Sequence, residues 1–542
     1  METNNNQTPQ YSYNYTGPAA QNPQPVNPQY TGPQMSNPQI VNPQAGNPQM
    51  GNVVQMQPVI KGNAEHFRKY GLLSVIFGLI YGFCLYNNRS SITYPIFMVC
   101  ALVILKFVRA RDGLSLITDC NGKRALGIFY VASLILLSVH RCLTTSPALN
   151  FLERTAIFLL LFSYVIYLYV DTTGFDIGAW LLSIFMTLIK PIEHLGSPFS
   201  DYSALRKSRA KEEVSQKKKN FNAVLIGLAI TVPLLVVIIP LLASADAVFE
   251  NMLSNIFKDI DIPEYLFHAF MMAATAIVGF WCAYTIITSM TRQEIKIKVR
   301  GEGEANPVIA ITFTSIIGLI YILFCAIQLL YLFSGKMALP EGYTYAEYAH
   351  EGFYQLLAVC ILNIVMVSIC QAFFKSSKVL KALLTIIAAC TYIMIASSAY
   401  RMIMYIDVYH LTFLRLFVLW FLAVLCFWLS FLIISMYVRK FPVFKACMVA
   451  ITIAFIAFIY SNPDYQIAKY DLQAAANKID EYSSVADYIE DELSFDAVPA
   501  IVQDKEVLEM FRRYHDHEYI TEEFEGFRRF NISYYIAQKY LL

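Results

Sequence analysis

The stretch from Tyr400 to Arg415, YRMIMYIDVYHLTFLR, sets Arg401, Asp407, His410 and Arg415 between two long apolar runs, 382–402 and 412–437. Ionisable groups at the edge of a membrane are costly unless paired, so a charged turn in this setting reads as the bend between two spanning helices. The same pattern extends in both directions. Apolar runs at 71–86, 91–108, 126–140, 153–170, 221–243, 265–290, 307–333 and 353–374 precede the turn, and one at 446–460 follows it. Each is long enough, or nearly so with its flanks, to cross a hydrocarbon core that takes about 20 helical residues. Helices are the expected form, because unpaired backbone amides in lipid cost too much for open strands.

Composition agrees with this reading. With 56% hydrophobic and 15% charged residues over 542 positions, the chain carries more apolar surface than a soluble protein of that length buries, and a lipid bilayer must take up the difference. The net charge of +1 implies no nucleic-acid partner. The eleven cysteines fall mostly inside the apolar runs and form no CxxC pair, which is a packing pattern and not a disulfide framework or a zinc site. The polar start of the chain is unlike a cleavable signal peptide, so the first run is expected to act as an uncleaved anchor.

The loops give an orientation. RKSRAKEEVSQKKKN holds seven Lys or Arg between Arg206 and Lys219, TRQEIKIKVRGEGE adds Arg292, Lys296, Lys298 and Arg300, and KSSKVLK and VRKFPVFK are basic too. Such loops are retained on the cytoplasmic side. The loops around Asp246–Glu264 and Glu341–Glu351 are dominated by carboxylates and read as extracytoplasmic. These assignments agree only if residues 176–195 do not cross, since a twelfth span would put one well-charged loop on the wrong side. In that segment Ile177, Trp180, Leu181, Ile184, Phe185, Leu188 and Ile192 share a stripe from which Ser183, Thr187, Lys190 and His194 are absent, the pattern of a helix lying in the interface.

The fold class expected is therefore all-α, a polytopic transmembrane bundle of about eleven spans with a small helical C-terminal extramembrane domain. Residues 1–62, with a proline every five residues from Pro18 to Pro48, read as a disordered Asn/Pro/Gln-rich cytoplasmic tail. Residues 63–460 form the transmembrane domain with its interfacial helix at 176–195. Residues 461–542 read as an extracytoplasmic tail of short amphipathic helices, with Ser484 and Asp496 as N-caps. The chain is expected in the cell membrane as a multi-pass protein, amino terminus inside and carboxyl terminus outside.

Three outward elements carry complementary charge: LLASADAVFENML, YRMIMYIDVYHLTFLR and EGFYQLL. Asp246, Glu250, Asp407 and Glu351 stand against Arg401 and Arg415, and a cluster at the mouth of the bundle is expected, with Asp246 or Asp407 holding the arginines. The competing reading is that such a cluster only fixes helix order. Asn363, Gln371 and Gln328 are read as packing contacts before a polar path, and His268 as interfacial. His515 and His517 point to different faces of a helix, so no metal site is expected in the tail, and no cofactor is called for. Phosphate-binding Gly-rich loops, GxSxG and HExxH are missing, which leans away from an enzyme.

LLASADAVFENML, EGFYQLLAVCILN, RMIMYIDVYHLTFLRL, NPDYQIAKYDL and YIEDELSFDAVPAI, in this order, resemble a family of bacterial multi-span membrane proteins catalogued as a domain of unknown function and common in Gram-positive bacteria. The chain departs from the pattern at His410, where the family has glycine, and at Asp471, where asparagine is usual. The resemblance implies a bacterial envelope location and no catalytic or binding residue. Three functions are weighed: an envelope or signalling protein, with protein partners reached through the Pro-rich tail or the C-terminal helices; a secondary transporter, suggested by Pro233 and Pro240 in one span; and a membrane-bound transferase acting on lipid-linked substrates.

Overall fold

The structure is a computed structural model. It describes residues 62–209 other than Arg89, 263–297 other than Lys296, 303–331, 345–438, 441–475, 479–515 and 526–541, with the stretch 238–258 and scattered positions from 227 to 237. The Asn/Pro/Gln-rich tail, most of the span read at 221–243, most of the basic loop 206–219 and residues 516–518 lie outside the described residues.

Every long apolar run among the described residues is a helix. In chain order these are α1 (Ala64–Leu85), α2 (Thr93–Arg111), α3 (Ala125–His140), α4 (Pro147–Tyr169), α5 (Ile177–Glu193), α6 (Ser197–Arg209), α7 (Ala247–Lys258), α8 (Glu264–Thr291), α9 (Pro307–Tyr331), α10 (Tyr345–Phe373), α11 (Lys378–Tyr409), α12 (Phe413–Tyr437) and α13 (Val443–Tyr460). Nine of them are long and apolar enough to span a membrane; α3 is shorter, at 16 residues. The chain is a multi-pass membrane protein held in a lipid bilayer. Starts are set locally: Asn63 accepts the Glu65 and His66 N–H groups at 3.1 Å to open α1, and Thr412 Oγ1 accepts the Arg415 N–H to open α12.

Small residues decide the closest helix pair. A Cβ at Gly78 would stand 2.4 Å from the Ala276 carbonyl oxygen and one at Gly82 2.8 Å from that of Met272, so this glycine pair, four residues apart, lets α1 lie directly on the α8 backbone. Without a hydrophobic driving force between helices in lipid, such close approach is a principal source of association.

Loop contacts sort the helix ends onto two faces. On one face Tyr167 Oη donates to Lys123 O at 2.7 Å, Asn121 Nδ2 to Asp171 Oδ1 at 2.9 Å, and the Asn63 N–H to Asp201 Oδ1 at 2.6 Å. His194 Nε2 meets Glu294 Oε2 there at 2.7 Å, and the Ala305 N–H bonds Phe373 O at 3.1 Å. The opposite face carries the turns 86–92, 141–146 and 410–412.

The α5 segment leaves from Asp171 and returns at His194, both on the first face. Its apolar stripe, including Leu181, Phe185, Leu188 and Ile192, is exposed, while Ser183 and Thr187 are fully buried. The polar stripe thus packs inward against protein and not outward toward water. Both hydroxyls return a hydrogen bond to their own helix, Ser183 to Ala179 O at 2.6 Å and Thr187 to Ser183 O at 2.7 Å, which is what permits their burial.

Beyond α13 come α14 (Pro463–Ala475), α15 (Ile479–Glu492), a 3₁₀ turn at Phe495–Ala497, α16 (Val498–Ile501), α17 (Lys505–His515), a 3₁₀ turn at Phe527–Arg529 and α18 (Ile532–Leu541). Their apolar residues Ile467, Ile489, Val498, Val507 and Phe511 belong to one continuous core with Leu384, Met394, Leu422 and Leu429 of the bundle. The segment is a cap built onto the second face. The Ile532 N–H bonds Cys142 O at 2.8 Å, the Ile92 N–H bonds Phe530 O at 2.9 Å, and Asn531 Nδ2 bonds Thr144 O at 2.9 Å.

Candidate functional site at the mouth of the bundle

The α11–α12 turn is the centre of the second face. His410 ends α11 at φ 57° and ψ 172°, a backbone region that glycine occupies readily and other residues rarely. Two groups hold it there. From one side Arg415, one turn into α12, donates from Nη1 to the carbonyls of Tyr409 and His410, with its guanidinium 4.4 Å above the Tyr405 ring. A cation on the last carbonyls of a long helix also complements the negative end of its dipole. From the other side the fully buried Asp471 of α14 accepts the Leu411 N–H at 2.7 Å and stands 3.9 Å from His410 Nδ1.

Further cap residues repeat this arrangement. Tyr488 Oη accepts the Phe413 N–H at 3.0 Å, meeting one of the four amides that a helix start leaves open. Asp496 Oδ1 accepts the Thr145 N–H and its hydroxyl, each at 2.8 Å, just ahead of α4, and the hydroxyls of Thr144 and Ser533 donate to the same carboxylate. Asp464 accepts from Ser494 Oγ at 2.7 Å. Burial raises the Asp464 carboxyl to about 6, with the Asp496 charge adding to it. Burial also raises Asp471 to about 7, against the opposing pull of the Leu411 N–H and the Arg415 charge.

Two cavities flank the turn and share Thr412 and Leu414. One, of about 210 Å³, is lined by Arg415, Tyr405, Tyr354, Phe353, Met402 and Val418. The other, of about 460 Å³, lies between cap and bundle, with Asp464, Tyr488 and Glu492 facing the first residues of α4, Ser146 to Ala148. The first is basic and aromatic and the second acidic, an arrangement that admits opposite charges on the two sides of one turn.

Of the residues singled out by sequence, the structure brings Arg401 and the opening of EGFYQLL together. Arg401 is buried, and a Cβ on Gly352 would meet its Nη1 at 2.0 Å, so the guanidinium lies in the space that the glycine leaves free. The Glu351 side chain is outside the described residues. Asp246 caps its own helix by accepting the Val248 N–H at 2.8 Å, and Asp246, Glu250 and Asp407 are exposed. Among the described residues none of these three forms an ion pair with Arg401 or Arg415. The carboxylate beside the turn is Asp471, some sixty residues further along.

The amides within the spanning helices are met by hydroxyls. Tyr321 Oη donates to Asn363 Oδ1 at 2.7 Å, Asn363 Nδ2 to Thr391 Oγ1 at 3.0 Å, Ser397 Oγ to Gln328 Oε1 at 2.8 Å and Ser435 Oγ to Gln371 Oε1 at 2.8 Å. His268 meets Tyr86 Oη at 3.0 Å near a helix end. Among the described residues no group of His, Cys, Asp and Glu is arranged to hold a metal, and His515 stacks on Phe511 at 4.0 Å. Sequence reasoning passed over Asp464, Asp471, Asp496 and Tyr488 as site residues, and also the buried His140–Glu153 hydrogen bond beneath the Arg141 guanidinium, itself 4.2 Å from the Tyr94 ring. The signal was present, since NPDYQIAKYDL and YIEDELSFDAVPAI contain all four of the first group.

The family model described as Domain of unknown function (DUF4153) matches residues 131–503, from within α3 to just past α16. No curated protein and no solved structure matches the chain. The matched span holds the α11–α12 turn together with Asp464, Asp471, Tyr488 and Asp496. It covers more than half of the sequence, and the chain belongs to this family of unknown function.

Proposed function

We propose that this is a bacterial cell-envelope protein of the signalling or interaction kind, with its amino terminus cytoplasmic and its C-terminal cap on the outer surface. The observation that carries the reading is the location of the buried ionisable groups. Asp464, Asp471 and Asp496 are all buried where the cap meets the bundle turns, and Asp464 lines a cleft of about 460 Å³ there. A ligand or protein that enters this cleft competes with the contacts that dock the cap, and the helices α4 and α12 that start there carry the change to the basic loops on the other face. The domain limits proposed are 1–62 for the tail, 63–460 for the bundle with α5 in the interface, and 461–542 for the cap.

The transporter alternative calls for a midplane polar site. The amides Asn363 and Gln328 are bonded to hydroxyls of neighbouring helices, which favours packing over a path. The charge pattern of the loops supports an outer cap. The test is a single cysteine at the exposed Ser483, probed in intact cells with a membrane-impermeant maleimide and with exposed Cys120 as the background control. Labelling in intact cells is expected. Labelling only after lysis would reverse the orientation and make the cap a cytoplasmic module.

A further inference from the structure

The smaller cavity, walled by α10, α11 and α12, has a composition that goes beyond the envelope reading. One charged side chain lines it, Arg415, and among the described residues no carboxylate does. Asp471 faces the turn from the cap side and is not part of the wall. Both side-chain hydrogen bonds that Arg415 makes run from Nη1, which leaves the Nε and Nη2 edge of the guanidinium, the edge that grips two oxygens at once, for another acceptor. Tyr405 holds the plane of the group from beneath at 4.4 Å.

Around this one charge the wall carries no second charge among the described residues, only the hydroxyls of Thr412, Tyr354 and Tyr405 and apolar side chains. Phe353, Met402 and Val418 are buried, whereas Leu414 is 60% and Tyr354 45% exposed. At about 210 Å³ the cavity is below the size of pockets that enclose a whole small molecule, roughly 300 Å³ and up. An occupant therefore leaves most of its body outside, along the exposed apolar rim. α11 and α12 are both long and apolar enough to span a membrane, and the cavity lies at the turn where α11 ends and α12 begins.

We propose that this cavity binds the phosphate of an anionic membrane phospholipid, with Arg415 as its bidentate ligand and the acyl chains lying on α10 and α12 beside Tyr354 and Leu414. The commitment to a lipid over free phosphate follows from the rim: a free anion would make no use of the exposed Leu414 and Tyr354.

The experiment uses the full-length protein in nanodiscs and in detergent, read by native mass spectrometry of retained lipid and by thermal shift on titration with phosphatidylglycerol, phosphatidylcholine or inorganic phosphate. The wild type is expected to retain phosphatidylglycerol and to be stabilised by it, with phosphatidylcholine and inorganic phosphate weaker. Arg415→Gln is expected to reduce retention about tenfold or more, the scale of a charge-assisted bidentate contact. Because Arg415 also secures the end of α11, Val418→Phe serves as a second variant, since it fills the cavity and keeps the arginine. It should lose the lipid while melting within a few degrees of the parent. Equal retention of phosphatidylglycerol by folded Arg415→Gln and Val418→Phe would overturn the proposal. Stabilisation by inorganic phosphate equal to that by phosphatidylglycerol would overturn the lipid assignment.

Discussion

Asp471 accepts the Leu411 N–H at 2.7 Å and stands 3.9 Å from the His410 imidazole, so a carboxylate some sixty residues further along the chain is a direct neighbour of the α11–α12 turn. A positive-φ turn that glycine would make without strain is made here by histidine, and the side chain that glycine would lack lies beside a buried carboxyl. His410 and Asp471 form one local unit.

That unit gives a pH dependence with a definite sign. Unfolded, the Asp471 carboxyl titrates near 3.8; folded, burial moves it to about 7. Below about 4 it is protonated in both states and costs nothing. Between about 4 and 7 the unfolded state gives up its proton first, so stability falls as pH rises, and above about 7 the penalty is complete. Asp464, raised to about 6, adds a slope of the same sign at the lower end of the window. Asp471→Asn keeps an acceptor for Leu411 and removes the ionisation. Its melting temperature in detergent should exceed that of the wild type most clearly at pH 7 to 8, with the gap narrowing steadily as pH falls toward 4. A constant offset across that range would show that Asp471 is not the titrating group.

His410→Gly should stabilise. Relief of the backbone conformation is worth about 1–3 kcal/mol, and the extra freedom of an unfolded glycine returns about 0.4–1 kcal/mol. A net gain of about 1 kcal/mol is expected in thermal unfolding, and a loss would mean that the His410 side chain contributes more than its strained backbone costs.

Gly352→Ala should destabilise by about 1–3 kcal/mol, because the new methyl group takes the space of a buried guanidinium. Arg401→Met on that background should recover part of the loss, and strict additivity of the two changes would contradict their contact. In the same way Gly78→Val should separate α1 from α8 and lower the melting temperature more than Gly227→Val, which has open space around its Cβ position.

Asp496→Ala removes the acceptor shared by Thr144, Thr145 and Ser533. A loss of roughly 2 kcal/mol or more is expected, since buried donors are left unmet. It should fall on the cap alone, with limited proteolysis releasing a C-terminal fragment while the bundle stays intact. Simultaneous loss of both would place Asp496 in the folding of the whole molecule.

The bundle was legible because apolar run length and loop charge are local properties, and the nine long apolar helices follow them. The partners at the mouth were not. Asp407 lies near Arg401 in sequence, but six residues along a helix is about 240° around it, so one side chain is buried where the other is exposed. The group that does meet the turn, Asp471, belongs to a helix some sixty residues on, and no periodicity links the two. In α5 the stripe was legible and its direction was not. Ser183 and Thr187 hydrogen-bond their own backbone, so a polar stripe turns inward at little cost.

The central claim is that residues 463–541 form a cap docked on the bundle face that carries the 141–146 and 410–412 turns. Thr145 and Ser533 reach one oxygen of Asp496, at 2.8 Å and 2.5 Å, from opposite sides of that interface, whereas Asn121 is on the other face. The direct test pairs Thr145→Cys with Ser533→Cys, and in a control Asn121→Cys with Ser533→Cys, in membranes treated with a short bis-maleimide. Efficient bridging of the first pair and none of the second is the result predicted. Bridging of 533 to 121, or to neither, would contradict the docked cap and the site built on it.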